Sequence, residues 1–175
     1  MKRLVFLMIL IIPIIACKKI DKLTHFYMNY ETNINIDKAN VFGTPFDVRS
    51  PLIATHSDSI FLSAHTNTDQ VTQIILKQIS MLVLPSDSIP DDYIQSIGIY
   101  LLDEGGKDKL VAWNYHISGG MHTAFSFEYT KDDLSDYLKK PQIQYRIHGE
   151  LTNTKVYDAQ LKFDSQYFTT SVIPK

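Results

Sequence analysis

The fold class is decided by residues 96–115, SIGIYLLDEGGKDKLVAWNY, in which two alternating runs flank a loop with two glycines. Apolar side chains occupy every second position on both sides of loop 103–108, namely Ile97, Ile99 and Leu101 before it and Val111, Trp113 and Tyr115 after it. Period two is typical of a strand with one buried face. Two such runs joined by a short glycine-containing loop predict a β-hairpin. The alternation also predicts that Trp113 packs in the core.

Toward the N-terminus, residues 25–36 alternate in the same way and predict a strand, with Tyr27 as the exception on the polar face. Residues 37–51 contain Gly43 and two prolines, which is typical of a loop or an irregular edge segment. A further strand is predicted over residues 59–64. Residues 69–75 keep helical spacing and predict a short helical turn, and the alternation that follows predicts a strand over residues 77–84.

Toward the C-terminus, a turn at residues 118–120 precedes Phe125, Phe127 and Tyr129, which fall on one face of another predicted strand. Thr130 and Asp133 are capping residue types and predict the start of a short helix, which Pro141 ends. Two alternating runs, 143–151 and 157–163, flank residues 152–154 and predict a second hairpin. A separate last strand is predicted over residues 168–172.

These elements amount to seven or eight strands with little helix, so the predicted fold class is all-β. The spacing of the strands favours an antiparallel β-sandwich, immunoglobulin-like or jelly-roll in style, with one or two short helices. The sequence does not reveal the strand order. The chain of 175 residues is long enough for one such domain, which we place at residues 25–175.

The N-terminus has the pattern of a secretion signal. Lys2 and Arg3 precede an apolar run over residues 4–15, which is too short to cross about 30 Å of hydrocarbon and has the length of a signal-peptide core. The run ends in Ile14-Ile15-Ala16-Cys17, and Cys17 is the sole cysteine. From the residue pattern alone, an ordinary cleaved signal that leaves the thiol free and an uncleaved anchor both remain open.

Ile14-Ile15-Ala16-Cys17 resembles the bacterial lipobox. The resemblance implies that residues 1–16 are a lipoprotein signal peptide, cleaved between Ala16 and Cys17. It also implies that the Cys17 thiol carries a diacylglycerol and that its amine is acylated. Two or more acyl chains hold a protein stably on a membrane, whereas one holds it only marginally.

Residues 17–24 form the predicted lipidated tether. This segment reaches at most about 25 Å at roughly 3.5 Å per residue, so the domain would lie close to the bilayer. Lys18, Lys19 and Lys22 would then lie at the level of the lipid headgroups and favour an anionic leaflet. A tether that is merely solvated is the alternative interpretation.

The overall charge argues against nucleic acid as a partner. The chain has 17 basic and 19 acidic residues, and loss of Lys2 and Arg3 with the signal makes the mature protein more acidic. Nucleic-acid-binding domains carry a basic patch for the phosphates, which this composition does not provide.

No known catalytic or metal-binding pattern is present in the sequence. The six histidines form no HExxH or His-x-His arrangement, although His116 and His122 flank a turn. Ser57-Asp58-Ser59 beside His56 is better explained as a polar turn than as a hydrolase site. The acidic pairs 91–92, 103–104 and 132–133 are interpreted as solvated loop charges. We therefore predict no enzyme activity, no metal and no cofactor apart from the covalent lipid at Cys17.

Aromatic residues are the remaining candidates for binding. Most of the ten tyrosines and nine phenylalanines fall on predicted core faces. Tyr27, beside His25, lies on the polar face of the first strand. Trp113 is the second candidate, although its alternation favours the core. Tyr27 and Trp113 are therefore the predicted binding aromatics.

The segment 65–165 resembles small lipoproteins of Bacteroidota. The resemblance rests on four packing motifs: Lys77 to Pro85, Ser96 to Leu101, Lys109 to Ala112, and Asp133 to Leu138. It implies a sandwich in the cell envelope and no active residue. In that phylum, acidic residues after the lipidated cysteine mark export to the cell surface. Lys18 and Lys19 depart from this rule, which favours an outer-membrane lipoprotein that faces the periplasm.

Three functions remain open from the sequence. The leading hypothesis is a non-catalytic envelope lipoprotein that binds another protein as an interaction or accessory module. The alternative is a glycan-binding lipoprotein. A hydrolase is the least favoured, because it requires a serine or an acid pair beside a histidine in one cleft.

Overall fold

A computed structural model describes residues 25–37, 45–84, 93–103, 105–117, 125–152 and 157–172. The predicted signal peptide with Ala16, the tether with Cys17, the turn 118–120, His122 and the acidic pair 91–92 lie outside the described residues. Within the described part, the strands are β1 (His25–Ile36), β2 (Phe46–Arg49), β3 (Ile53–Ala54), β4 (Val71–Val83), β5 (Ile94–Leu102), β6 (Asp108–Asn114), β7 (Glu128–Tyr129), β8 (Gln142–Leu151) and β9 (Ala159–Ser171). The helices are α1 (Ser57–Ser63) and α2 (Ser135–Leu138).

The strands form two antiparallel sheets, which confirms the predicted β-sandwich. The three-stranded sheet has the order β1-β9-β4, and the six-stranded sheet has the order β2-β8-β5-β6-β7 with β3 beside β8. The alternating apolar residues of both sheets meet between them and form one core. The short strand β2 is an edge strand, in agreement with the prediction of an irregular edge segment for residues 37–51.

Tyrosine hydroxyl groups link the two sheets inside this core. The Tyr145 hydroxyl, on β8, lies 2.8 Å from Ser165 Oγ and 2.6 Å from the Tyr167 hydroxyl, both on β9. The Tyr30 hydroxyl, on β1, donates to the Thr55 carbonyl across the sandwich at 2.9 Å. Burial raises the pKa of each of these three tyrosines.

The first predicted hairpin and the helix before Pro141 are confirmed as β5–β6 and α2. The second predicted hairpin is wrong, because β8 and β9 belong to opposite sheets. The separate last strand is also wrong: β9 continues unbroken from Ala159 to Ser171 with every odd residue buried. Phe168 therefore lies on the outer face and Tyr167 on the inner one.

The helical turn predicted over residues 69–75 is wrong, because β4 begins at Val71 and includes residues 71–75. Two bulges interrupt its pairing with β9, between Val71 and Gln73 and between Leu76 and Gln78. Each bulge adds one residue between successive buried positions, so Val71 and Ile74, like Leu76 and Ile79, are three apart. A spacing of three is also a helical spacing, which explains the wrong prediction.

The strand predicted over residues 59–64 is a helix, α1. Phe61 is buried in the core, and its ring meets that of Phe26 at 5.9 Å. His65 ends the helix in the left-handed region, with φ 56°. The amides of His65 and Thr66 donate to the carbonyls of Leu62 and Phe61, which is the Schellman pattern that usually employs glycine. Within the described residues, no helix has the length and apolar character that a membrane span needs.

Candidate binding surface

A row of five residues crosses the outer face of the six-stranded sheet. The strand register places them side by side in the order Asp47, His148, Gly98, Trp113 and Glu128. Because cross-strand partners project to the same side, the two rings of this row stand on either side of a position without a side chain. The row therefore has a low centre bordered by His148 and Trp113.

A β-bulge places Trp113 on this outer face. In the hairpin, Tyr100 pairs with Leu110 but Ile99 pairs with Ala112, so Val111 is the extra residue. Val111 and Ala112 are both buried, and Trp113 pairs with Gly98 instead of with a core residue. The prediction that Trp113 packs in the core is wrong for this reason, since a bulge exchanges the two faces of the strand beyond it.

Hydrogen bonds fix the side chains around Trp113. Its Nε1 donates to Glu128 Oε2 at 3.0 Å. Asn114 Nδ2 donates to the Ser126 carbonyl at 2.9 Å, and Asn114 Oδ1 accepts the His116 amide at 3.0 Å. These groups line a depression of about 500 Å³, completed by Tyr115 and Phe127. The indole is thus held beside hydrogen-bonding groups in a preformed surface.

A second depression of about 260 Å³ lies next to the first on the same face. Gly98 and Gly149 contribute its backbone, and the side chains around it are Ser96, Tyr100, Tyr115, His148 and Glu150. Tyr115 lines both depressions and is 53% exposed. We call the two depressions together the Tyr115 surface. Tyr115 is not among the predicted binding aromatics, because the alternation predicts that it shares a buried face with Val111.

The Arg146 side chain on this sheet is already paired with two carboxylates. The Arg146 guanidinium binds both oxygens of Asp47 through Nε and Nη2 and also contacts Asp108, and it lies 5.2 Å from the centre of the Tyr100 ring. The hydrogen bond from Arg146 is the main cause that lowers the pKa of Asp47. Within the described lining of the Tyr115 surface, the carboxylates of Glu128 and Glu150 are the anionic groups.

The other predicted aromatic, Tyr27, lies on the opposite side of the sandwich. It is 49% exposed on the outer face of the three-stranded sheet, where its ring packs 5.5 Å from that of Phe168. His25 stacks on the same ring at 5.1 Å. The structure therefore does not bring Tyr27 and Trp113 together.

The remaining candidate groups are dispersed in the described part of the chain, where no set of three or more His, Cys, Asp or Glu residues converges as a metal site. Ser59 Oγ donates to the backbone carbonyl of His56 at 2.9 Å, and not to its ring. Asp133, interpreted as a solvated charge, is instead a structural acceptor. Its Oδ1 receives the amides of Ile74 and Ser135, each at 3.0 Å.

Comparisons with known proteins give only distant similarities of fold. No protein-family model and no curated protein matches the sequence. A chain of infectious bursal disease virus, Gx strain, is 12% identical with a TM-score of 0.40, over 84% of this chain and 32% of the viral chain. This protein thus spans about a third of that chain.

Two further solved structures are similar at the same level. The capsid of cyanophage Pam1 is 6% identical over 83% of this chain and 86% of its own, with a TM-score of 0.38. CpGH89CBM32-5 from Clostridium perfringens, solved in complex with GalNAc-β-1,3-galactose, is 6% identical over 82% of this chain and 94% of its own, with a TM-score of 0.36.

Proposed function

We propose that this protein is an envelope lipoprotein, anchored at Cys17 in the outer membrane and facing the periplasm, whose domain is a non-catalytic carbohydrate-binding module. The lipobox and the resemblance to small Bacteroidota lipoproteins support the anchor. The Tyr115 surface supports the binding role. The single observation that carries the choice of ligand is Tyr115, an exposed ring shared by two shallow depressions with polar rims.

The shape and chemistry of the Tyr115 surface suit a sugar chain. A pyranose ring has one apolar face, which packs on an aromatic ring, and hydroxyl groups at its edge that require hydrogen-bonding partners. Tyr115 and Trp113 supply rings, while Asn114, Glu128 and Glu150 supply polar groups nearby. Two adjacent depressions suit two consecutive sugar units of a polysaccharide.

The charges of the surface favour a neutral or cationic sugar over an acidic one. Glu128 and Glu150 are the charged acids of the depressions, whereas Arg146 is already paired with Asp47 and Asp108. The described lining of the two depressions includes no lysine or arginine side chain that could pair with an anionic polysaccharide. Such a ligand would face these carboxylates, and like charges in contact are unfavourable.

A protein partner is the second candidate and is the hypothesis that the sequence alone favours. Tyr115 is the kind of exposed aromatic that anchors protein interfaces. The glycan is preferred here because, among the described residues that line the Tyr115 surface, Tyr115 is the one large hydrophobic residue that is exposed. A stable protein interface usually has a larger apolar centre.

Affinity electrophoresis of the lipidated protein tests the proposal. Native gels would contain a neutral β-glucan, anionic polygalacturonate or cationic glycol chitosan, in a detergent without a sugar head group. We expect retardation in the neutral or the cationic gel and none in the anionic gel. Tyr115→Ala should weaken the interaction about tenfold, since an aromatic contact contributes about 1 kcal/mol or more.

Tyr27→Ala is the matched control, because it removes a tyrosine of similar exposure from the opposite sheet. Retardation should be unchanged in this variant. Equal loss in both variants, or the absence of retardation in all three gels, would contradict carbohydrate binding at this surface. A partner that is crosslinked in intact cells and lost in Tyr115→Ala would support the protein candidate instead.

A further inference from the structure

Exposed large apolar residues are concentrated at one end of the sandwich. The described residues include five such side chains, and four of them are Tyr27, Leu52, Leu62 and Val172, with exposures of 49, 63, 75 and 49%. The fifth, Tyr115, belongs to the candidate binding surface. Isolated apolar residues are common on protein surfaces, but a group at one location marks a contact site.

Contacts between elements place these four residues at the same end. Phe26, beside Tyr27, packs against Phe61 of α1, which is followed by Leu62. His25 pairs with Thr170 near the end of β9, and the amide of Val172 donates to Gln70 just before β4. The start of β1, the end of β9, the start of β4 and helix α1 therefore lie together.

The six-stranded sheet contributes Leu52 to this end. Leu52 precedes β3, in which Ile53 pairs with Ile143 at the start of β8. The other end of β8 lies beside the start of β9, and we call it the remote end. The amide of Thr152, just after β8, donates to the Tyr93 carbonyl, and the Tyr93 hydroxyl accepts the amide of Tyr157, just before β9, at 3.0 Å. Strands β8 and β9 thus run in opposite senses across the core, and the start of β8 is beside the end of β9.

The predicted tether joins the domain at this same end. It leads into His25, two residues before Tyr27, and reaches at most about 25 Å. We define the tether end as the exposed side chains of Tyr27, Leu52, Leu62 and Val172. The Tyr115 surface is in the remote half of the six-stranded sheet. Asn114, the residue before Tyr115, pairs with Ile97, and Ile97 also pairs with Gly149 near the end of β8.

We propose that the tether end rests on the lipid bilayer, so that the domain is held in one orientation with the Tyr115 surface directed away from the membrane. This inference depends on the proposed lipid anchor at Cys17. Leucine and valine favour the acyl region and tyrosine favours the interface, which matches the residue types of this end. A tether this short keeps the apolar group beside the headgroups, and its three lysines are attracted to anionic lipids.

Fluorescence quenching by brominated lipid measures this contact. Trp113 is the sole tryptophan and lies on the six-stranded sheet, so it serves as an internal reference for a site away from the membrane. The probe is the lipidated protein in vesicles of phosphatidylethanolamine and phosphatidylglycerol with brominated acyl chains. A Leu62→Trp, Trp113→Phe variant should lose about half of its emission relative to non-brominated vesicles, as expected for a side chain within the acyl boundary.

The native protein, which reports from Trp113, should lose little emission in the same vesicles. Val172→Trp in the Trp113→Phe background is a second reporter in case the first variant folds poorly, as judged by circular dichroism. Equal quenching of all three proteins, or quenching of Trp113 alone, would overturn the proposed orientation. Absence of quenching at positions 62 and 172 would also overturn it.

Mass spectrometry of the same samples separates this result from the anchor itself. A mature chain that begins at an acylated Cys17 but shows no quenching at the tether end contradicts only the orientation. A chain with an unmodified thiol contradicts the proposed lipoprotein. Quenching that requires a second copy of the chain, seen as a dependence on protein density in the vesicles, would assign the apolar group to self-association and overturn the lipid contact.

Discussion

The hydroxyl groups of Tyr145 and Tyr167 lie 2.6 Å apart and join the two sheets of the sandwich inside the core. Tyr145 comes from the six-stranded sheet and Tyr167 from the three-stranded one, and both side chains are almost fully buried. Ser165 Oγ, 2.8 Å from Tyr145, extends the chain of hydrogen bonds. A polar bridge in this position stabilises the fold only when each hydroxyl group has a partner.

Removal of one hydroxyl group should therefore lower the free energy of unfolding by more than the contribution of its own hydrogen bonds. Tyr145→Phe breaks the contacts to Tyr167 and Ser165 and leaves their hydroxyl groups buried. We expect a loss of about 1–3 kcal/mol in the free energy of unfolding, measured with urea. The double variant Tyr145→Phe, Tyr167→Phe should lose less than the sum of the single changes, because it removes both ends of one bond. Additive losses would contradict this coupling.

The same tyrosines predict a loss of stability at alkaline pH. Burial raises the pKa of Tyr145, and burial together with the neighbouring Tyr145 raises the pKa of Tyr167. A raised pKa in the folded state means that the unfolded chain releases its protons first. Their contribution is fully present below about pH 10, the value of a free tyrosine, and is lost as the pH rises toward the folded values. The unfolding free energy, measured from pH 8 to pH 11, should fall above about pH 10, and it should fall less steeply in the double phenylalanine variant.

Asp133 predicts a loss of stability at acidic pH. Its partial burial raises the pKa, but hydrogen bonds from Ile74 and Ser135 outweigh this effect and hold the pKa below its usual value. The stabilising contribution is present above about pH 4 and is lost as the pH falls through the lowered value. Asp133→Ala should cost about 1–3 kcal/mol near neutral pH, because the amides of Ile74 and Ser135 lose their acceptor.

Asp132→Ala is the control for this experiment. Asp132 is exposed and pairs with Lys109 at the surface, so its removal should change the unfolding free energy little. A comparable loss in both variants would indicate that the charge of this turn matters and not the hydrogen bonds of Asp133.

Much of the fold follows from the alternation of apolar residues. Strand β1, the β5–β6 hairpin and β8 all have regular period-two patterns, and each is present where the sequence predicts it. The placement of β8 and β9 in opposite sheets was not predictable from the pattern. Two alternating runs joined by a short loop show the same pattern of apolar residues whether they form a hairpin or cross from one sheet to the other.

The candidate site was harder to predict because bulges break the period. One extra residue at Val111 turns Trp113 outward, and two in β4 produce a helical spacing. A bulge depends on contacts with the partner strand, and the bulge at Val111 leaves no sign in the alternation of apolar residues around it. Tyr27 is different, because its exposure follows directly from the alternation of β1.

The two glycines beside the candidate surface should respond differently to alanine. A Cβ at Gly149 would lie 2.5 Å from the Ser96 carbonyl oxygen and 2.8 Å from the Phe46 ring, so backbone must move. A Cβ at Gly98 would meet the end of the Tyr100 side chain at 3.3 Å, which can shift. Gly149→Ala should destabilise the protein by about 1–3 kcal/mol and Gly98→Ala much less, measured by urea unfolding. Equal losses would contradict the close approach at Gly149.

The single tryptophan provides a direct test of the bulge that creates the candidate surface. If Trp113 lies on the outer face, opposite Gly98 and bonded to Glu128, acrylamide should quench its emission efficiently in the folded protein. In the regular register without the bulge, Trp113 would pair with Ile97 in the core, and quenching would be weak until the protein unfolds. Glu128→Gln should shift the emission maximum, because it replaces the charged acceptor of the indole N–H, while Glu31→Gln on the opposite sheet should leave it unchanged. Weak quenching, together with an emission maximum that does not change in Glu128→Gln, would indicate that Trp113 lies in the core.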